Sequence, residues 1–490
     1  MHIIELRRLV RPALLCACAT AAAGIALGDA DGKVPITTRS EEARQLYLKG
    51  RSLADVLRAT DARRFYQEAA AKDPGFARAY MDLANTAGTA KEFFDAVKQA
   101  VAVADGVSEP ERWMILGLDA GTKGDVAQQK ALYSKLAAAF PKDERALVLL
   151  GNFYFGQQDY PAAIAEYDKA TAVAPSFSQP YNQLGYAYRF LGKYDEAEKA
   201  FKRYIELIPN DPNPYDSHAE LLMKMGRFSN SIETYEKALT CDRNFVASYV
   251  GIGNDRVFLG QGDAARASYA RLTSVARNDG ERRTALFWSA LSHVHEGATA
   301  PALADVEKMS ALATADGDGA SLSADANLAG NILLEAGEAD KAAAKFAEGM
   351  ARIEAADVPA EVKEAARRTD LYDRARVALV KGDLKDARAK TEESARRVAA
   401  ARSIPFEVRR QHELAGRLAL AEKDYALAST ELAQASQQDP RVLFLTALAL
   451  QGRGDTAKAR EMCGRAADFN ELNPNYAYVR TRAKAMLAKL

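Results

Sequence analysis

One motif recurs every 34 residues, and it constrains the fold of this chain more than any other feature of the sequence. Units that start at residues 110, 144, 178, 212 and 246 keep one register without slippage. The clearest copy contains Tyr181, Leu184-Gly185, Tyr188, Ala197, Phe201 and Pro209. Self-similarity at this period is typical of an array of small units, each of which buries its apolar face only against its neighbours.

Each unit is predicted to be a pair of antiparallel helices. Gly151 and Gly185 are expected where the two helices cross closely, and the aromatic residues are expected to fill the space between neighbouring units. Pro175 and Pro209 predict the end of the second helix, because a helix interior does not accommodate the proline ring. Gly192, followed by Lys-Tyr, predicts the turn between the helices, with glycine after the helix end.

The motif resembles the tetratricopeptide repeat, whose pattern is W-x2-L-G-x2-Y, then A-x3-F, then P. Trp113 matches its first position, whereas Gln129 and Ser231 stand in place of Ala, and His218-Ala219 replaces Leu-Gly. The resemblance implies an all-α fold, an α-solenoid of stacked antiparallel helix pairs in a right-handed superhelix. It also implies a role in binding other proteins.

The register predicts the domain organisation. We expect about seven regular repeats over residues 43–282, degenerate helical repeats over 283–473 and a solvated cap helix at 474–490 that carries Arg480. The intervals in the degenerate part run from about 31 to 45 residues, and Ala315–Ser323 is predicted as a loop. Further turns are predicted at Gly297, Gly337, Gly382, Lys423-Asp424 and Gly454.

Residues 1–28 are predicted to be a signal peptide of an exported bacterial protein, and residues 29–42 a linker. Arg7, Arg8 and Arg11 precede an apolar stretch from Pro12 to Leu27, which is followed by polar residues. An uncleaved anchor and an ordinary helix are the alternatives. Leu15-Cys16-Ala17-Cys18 loosely matches a lipoprotein processing box, which would lipidate Cys18, and Arg7-Arg8 weakly suggests twin-arginine export. Cleavage would make the protein periplasmic or secreted.

The composition of the chain restricts which partners it can bind and whether disulfide bonds can hold its fold together. Sixty-six Lys+Arg balance 66 Asp+Glu, whereas a nucleic-acid binder carries a clustered basic excess. Of four cysteines, only Cys241 and Cys463 lie beyond the leader, too few for a disulfide framework. Both are expected to be buried. We therefore predict a protein or peptide partner, no nucleic acid, and membrane association only through a lipid on Cys18.

No pattern of catalysis or of cofactor binding is found in the sequence. It lacks the nucleophile-elbow, P-loop and dinucleotide-binding motifs, and His293 and His295 do not have the spacing of a helical zinc site. Asp316-Gly317-Asp318-Gly319 lacks the third acidic ligand and the terminal glutamate of a calcium loop. We expect no enzyme, no cofactor and no metal site.

The register also predicts which residues line the concave face of the first helices. They are Asn85, Asn152, Asn182, Gln183, Tyr186, Arg189, Asp216, Glu220 and Asn254. Asn85, Asn152 and Asn254 occupy one equivalent position, where the resemblance implies hydrogen bonds to the backbone of an extended peptide. The alternative is a solvent-facing amide with no ligand. The basic residues that bind chaperone tails in related repeats are missing.

The sequence therefore predicts a non-catalytic scaffold or adaptor of the cell envelope that binds a protein or an extended peptide. One alternative is a lipid-anchored envelope assembly factor. A second is a sensor or regulatory module of a signalling system, and a third is an enzyme hidden in residues 283–440. The identity of the partner and the oligomeric state stay open.

Overall fold

A computed structural model describes residues 32–56, 58–88, 90–401 and 405–490 of the chain. Within these ranges the protein is all-α, with 25 α-helices, one short 3-10 helix and no strand. The predicted signal peptide lies outside the described residues. The residues form two compact units, an N-terminal unit that ends at His218 and a C-terminal unit that spans Ala219–Leu490.

The N-terminal unit contains ten complete helices and the start of an eleventh. Helices α1 to α5 are Glu41–Asp55, Ala59–Lys72, Ala77–Asn85, Ala90–Ala102 and Glu109–Thr122, with the 3-10 helix Ala104–Gly106 before α5. Helices α6 to α11 are Val126–Ala139, Glu144–Gly156, Tyr160–Val173, Gln179–Phe190, Tyr194–Leu207 and Pro212–Lys224. Helices α8 and α10 end two residues before Pro175 and Pro209, as the sequence predicts.

The C-terminal unit contains the remaining helices, of which α15 to α21 are the longest, with 17 to 22 residues. Helices α12 to α18 are Phe228–Cys241, Val246–Phe258, Gly262–Val275, Asp279–His295, Thr299–Ala315, Gly319–Glu335 and Ala339–Ala355. Helices α19 to α25 are Ala360–Lys381, Leu384–Ala400, Pro405–Ala421, Tyr425–Gln434, Pro440–Gly452, Thr456–Ala467 and Pro474–Leu487. Within each unit, consecutive helices pack in pairs and neighbouring pairs pack on one another, which confirms the predicted fold class of an α-solenoid.

A glycine on the first helix of a pair receives an aromatic ring from the second helix, 16 residues later. A Cβ atom on Gly151 would lie 2.5 Å from Cε1 of Tyr167, and one on Gly253 would lie 2.1 Å from Cε1 of Tyr269. The ring thus rests on the glycine of its own pair, while other aromatic contacts, such as Tyr160 with Phe190, join neighbouring pairs as the sequence predicts. The same contact joins Gly330 to Phe346 in the degenerate region.

The pair formed by α11 and α12 shows what happens when this glycine is absent. Ala219 occupies the position of the crossing glycine, and it is buried in one cluster with Tyr235. The ring lies instead against Gly251 of α13, where a Cβ atom would be 2.1 Å from Cζ of Tyr235. The departure from the repeat pattern at residue 219 is therefore matched by a glycine in the next helix.

Residues with a left-handed backbone form the turns between the paired helices. Gly192 has φ 73°, which glycine adopts without steric cost, and it ends α9 as predicted. The turn predicted at Lys423-Asp424 is also found, although Lys423 has a Cβ atom and φ 63°. Asp424 then caps α22, because its carboxylate accepts a hydrogen bond from the N–H of Leu427 at 3.0 Å.

Three local expectations are wrong. The loop predicted at Ala315–Ser323 ends at Asp318, because that side chain caps α17 by accepting from the N–H of Ser321 at 3.0 Å. Cys241 is exposed at the end of α12, and only Cys463 is buried. Arg480 is buried, since α25 packs against α15 and places this side chain 3.2 Å from Nε2 of His295.

Candidate peptide-binding surface

Helix α9 brings together four of the nine residues predicted to line the binding face. Asn182 is buried at 5% exposure, and its carbonyl oxygen makes no hydrogen bond with a described residue. Gln183 and Tyr186 are half-buried. The hydroxyl of Tyr186 donates to Oγ of Ser217 at 3.3 Å. The buried guanidinium of Arg189 lies 5.4 Å from the ring centroid of Tyr186. This is a fixed cluster of an aromatic ring and amide groups.

Two of the three equivalent asparagines have a structural partner that the sequence analysis missed. The hydroxyl of Tyr167 donates to Oδ1 of Asn152 at 2.8 Å, and the hydroxyl of Tyr269 donates to Oδ1 of Asn254 at the same distance. In both pairs the tyrosine follows the asparagine by 15 residues, a spacing that could have revealed the contact. The asparagine carbonyl therefore stabilises its own helix pair, while the amide N–H groups take no part in this bond.

The remaining predicted residues differ in their surroundings. Asn85 ends α3, is half-buried and donates to Oδ1 of Asp82 at 3.2 Å. Asp216 is buried, and Glu220 is half-buried. Glu220 and Asn254 lie in the C-terminal unit, whereas the other seven residues lie in the N-terminal unit. Asn254 is also buried at 5% exposure, so its amide is less accessible than the half-buried amide of Asn152.

An extended segment of the chain is bound across the N-terminal unit in the way that a peptide ligand would be. We call residues 33–39 the strap. Side-chain carboxylates accept hydrogen bonds from three of its backbone N–H groups. Val34 donates to Oδ2 of Asp143 at 2.7 Å, Thr37 donates to Oε1 of Glu111 at 2.9 Å, and Arg39 donates to Oδ2 of Asp73 at 2.7 Å.

The three carboxylates lie at helix termini that are spread over the first four helix pairs. Asp73 follows α2, Glu111 lies in the first turn of α5, and Asp143 is the N-cap of α7. Val34 and Ile36 of the strap are buried in two apolar clusters of the repeats. Although burial opposes the shift, hydrogen bonds from Thr38 and Arg39 lower the pKa of Asp73. The strap therefore adds apolar contacts and charge-assisted hydrogen bonds, each worth roughly 1.5–3 kcal/mol when the acceptor is ionised.

The C-terminal unit contains a buried ionic cluster that sequence reasoning did not detect. Glu335, the last residue of α17, lies 3.0 Å from Arg441 of α23, 3.7 Å from Arg376 of α19 and 3.1 Å from Arg482 of α25. Burial alone would raise the pKa of Glu335, but these guanidinium groups and that of Arg417 lower it to about 2. One carboxylate thus ties together helices that are far apart in the chain.

None of the helices in the described ranges is both long and apolar enough to cross a membrane. Among the same residues, no group of three or more His, Cys, Asp and Glu side chains is arranged to hold a metal ion.

Comparison with known proteins identifies the repeats. The sequence model of the tetratricopeptide repeat matches residues 143–210, and a second model of the same repeat matches residues 213–245. These segments are therefore tetratricopeptide repeats, as their spacing predicts. The matched segments include helices α7 to α10 and α12. They contain Asn152 and the four predicted site residues of α9.

Among curated proteins, the chain is similar to Hsp70-Hsp90 organizing protein 2 of Arabidopsis thaliana, with 32% identity over 94 residues. The match covers 19% of this chain and 16% of that protein. The Hsp70-Hsp90 organizing protein of Triticum aestivum is 32% identical over 122 residues, which cover 25% of this chain and 20% of its own length. The chain thus spans about a fifth or less of these two relatives.

The solved structure of the APC/C hetero-tetramer Cut9–Hcn1 resembles the fold over a longer stretch. The similarity covers 86% of this chain and 76% of the matched chain, at 14% identity and a TM-score of 0.41.

Proposed function

We propose that this protein is a non-catalytic scaffold that binds another protein through an extended peptide segment, on the first helices of its tetratricopeptide repeats. The strap is the observation that carries this proposal. It is an extended segment, and carboxylates at helix termini of the first four helix pairs bind its backbone N–H groups. A surface that holds one extended backbone in this way supplies the chemistry to hold another.

The binding site proposed for the partner is the face formed by α7 and α9, with Asn152, Asn182, Gln183 and Tyr186. The amide of Asn152 donates two N–H groups and can pair with a peptide carbonyl, because its own carbonyl is engaged by Tyr167. That engagement also fixes the orientation of the amide. A preorganised donor lowers the ordering cost of association.

The matched relatives favour the same class of function. Tetratricopeptide repeat proteins generally mediate protein–protein interaction, and the relatives described above carry names that refer to the organisation of Hsp70 and Hsp90. Because the matches cover only the repeats, we propose for this chain the general activity of a protein-binding adaptor. We do not assign it those partners.

We further propose that the protein acts in the cell envelope after removal of residues 1–28, on the evidence of the basic residues and the apolar stretch in that segment. Mass spectrometry of the mature N-terminus tests this location. A terminus near Asp29 supports it, and an acylated Cys18 supports the lipid-anchored assembly factor instead. An intact Met1 on the mature protein contradicts both.

The substitution Asn152→Asp tests the binding face without removing the acceptor of the Tyr167 hydroxyl. It replaces the amide donors by a carboxylate oxygen, which repels a peptide carbonyl. We expect partner capture after in-cell crosslinking to fall roughly tenfold, the equivalent of about 1.4 kcal/mol. The face assignment is wrong if recovery of the crosslinked partner is unchanged.

Tyr167→Phe is the matched control. It removes the hydroxyl that holds the Asn152 carbonyl but leaves the amide donors in place. We expect this variant to unfold at a lower urea concentration and still to capture the partner, with a smaller loss than Asn152→Asp because only the orientation of the amide is freed. Loss of capture in both variants would indicate a general loss of structure and would not support a specific role for the amide.

A further inference from the structure

The N-terminal unit encloses a cavity of about 170 Å³ with an unusually basic wall. Four of its lining side chains are cationic, namely Lys33, Arg51, Arg78 and Arg145. The first belongs to the strap, and the others come from α1, α3 and α7. A polar cavity needs only roughly 10–15 Å³ to hold one water molecule, so this space is large enough for a polyatomic group.

The two carboxylates in the wall already have close partners. Asp143 accepts from the N–H of Val34 at 2.7 Å and from the N–H groups that begin α7. Glu144 is paired with both Lys33 and Arg145. The guanidinium of Arg145 also binds Asp55 at 2.6 Å. Asp143 and the buried Asp82 still attract the charge of Arg78, so what Arg78 lacks is a hydrogen-bond acceptor for its Nε.

Arg78 is a buried cation with a poor set of acceptors. It is 6% exposed, its Nη1 lies 3.4 Å from Sδ of Met114, and its Nε has no hydrogen-bond partner among the described residues. A thioether is a weak acceptor, whereas a buried charged group ordinarily has strong hydrogen-bond partners.

Asp82, which lies on α3 together with Arg78, already accepts hydrogen bonds from two other residues. Asp82 accepts from the Tyr47 hydroxyl at 2.9 Å and from the amide of Asn85 at 3.2 Å.

We propose that this cavity binds one oxyanion, a carboxylate or a phosphate group, between Arg78 and Arg51. Guanidinium groups bind planar carboxylates and phosphates through two parallel N–H bonds, a geometry that a sulfur atom does not provide. Two guanidinium groups on one cavity wall supply both the charge and the donors. Lys33 places the strap at the rim of the site, so the bound anion and the strap stabilise each other.

The inference goes beyond the proposed function, since it requires no partner protein. The same chemistry has two sources, a free small anion or an acidic group carried by a peptide. Calorimetric titration of the full chain with inorganic phosphate, acetate, phosphoserine and N-acetylglycine separates them. Chloride at matched ionic strength is the reference for non-specific screening.

We expect saturable binding of at least one probe, weakened roughly tenfold or more by Arg51→Gln and abolished by Arg78→Gln. Arg64→Gln, an exposed arginine on α2, should bind like the wild type. Binding of inorganic phosphate or acetate supports a free anion. Binding of only phosphoserine or N-acetylglycine supports an acidic group on a peptide.

The proposal is overturned if no probe binds above the chloride reference, or if Arg51→Gln and Arg64→Gln bind equally well. Since Arg78 is buried, circular dichroism must show that Arg78→Gln is folded, and the half-buried Arg51 keeps the test valid if it is not. Asn152→Asp should leave anion binding unchanged. Failure of the proposed peptide-binding face is therefore distinguishable from failure of the oxyanion site.

Discussion

A Cβ atom on Gly185 would lie 2.4 Å from Cε1 of Phe201, well inside van der Waals contact. The two residues face each other across α9 and α10, 16 positions apart in the chain. The ring of Phe201 is fully buried, so it has no open space into which it could move. The close approach of the two helices therefore depends on the absence of a side chain at residue 185.

Gly185→Ala should destabilise the N-terminal unit by about 1–3 kcal/mol, the usual cost of adding a methyl group to a packed core. Urea denaturation followed by circular dichroism measures the change. Gly156→Ala is the control, because a Cβ atom there meets no atom within 4 Å. That variant should be neutral or slightly more stable, since alanine favours a helix by roughly 1 kcal/mol over glycine. Equal destabilisation by both variants would contradict the packing argument.

The sequence predicts the helix pairs well because their determinants are local and periodic. Glycine at the crossing, the ring 16 residues later and the turn at Gly192 all lie within one 34-residue unit. Lys423 shows that the register predicts a turn even without glycine. Tyr235 shows the limit of such reasoning, since its contact with Gly251 depends on the next pair.

One physical reason explains why neither the strap nor the Glu335 cluster could be predicted from the sequence. Residues 33–39 have no helical period, and they were predicted only as part of a linker. Their partner Asp143 lies 109 positions from Val34. Glu335 and Arg482 are 147 positions apart. Such contacts depend on how the pairs stack, which a repeat pattern leaves undetermined.

Asp255 should make stability depend on pH in the neutral range. This residue of α13 is fully buried beside Ser231, and burial raises the pKa of its carboxyl to about 8, a shift that the Ser231 hydroxyl opposes. The folded state therefore holds a proton that the unfolded state releases near pH 4. The contribution of Asp255 to stability is full below about pH 4 and is lost as the pH rises to about 8.

Comparison with Asp255→Asn isolates this effect, because the amide is neutral at every pH and similar in shape. The free energy of unfolding of the wild type, relative to the variant, should fall by a few kcal/mol between pH 4 and pH 9, at about 1.4 kcal/mol per unit of pKa shift. Urea titrations at pH 4, 6, 8 and 9 measure it. A constant difference across this range would show that Asp255 ionises normally.

Glu111→Ala should release the strap from the repeats. Glu111 is fully buried and accepts hydrogen bonds from the N–H of Thr37 and from Ser108. Losing hydrogen bonds to a charged group costs about 1.5–3 kcal/mol, which raises the population of the released strap roughly tenfold or more. Limited trypsin digestion should then cleave faster after Arg39.

Glu109→Ala is the matched control for this experiment. Glu109 lies in the same turn of α5, but it is exposed and pairs with Lys135 on the surface. Its removal should leave cleavage after Arg39 at the wild-type rate. If Glu111→Ala is cleaved no faster than Glu109→Ala, the carboxylate does not hold the strap.

Glu335→Gln should destabilise the C-terminal unit by about 3–5 kcal/mol, because it leaves the buried guanidinium groups of Arg376 and Arg441 without their shared anion. Glu338→Gln is the control. Glu338 is half-buried at the N-cap position of α18 and pairs with Lys341 three residues later, so its loss should change stability by at most roughly 0.5 kcal/mol.

The pH dependence of the two variants gives an independent check. Since the pKa of Glu335 falls to about 2 in the folded state, its contribution is complete above about pH 4.5 and is lost as the pH falls towards 2. The wild type and Glu335→Gln should therefore converge in stability on acidification, whereas Glu338→Gln should stay parallel to the wild type. A difference between wild type and Glu335→Gln that persists unchanged at pH 2 would mean that packing around residue 335, and not its charge, holds these helices together.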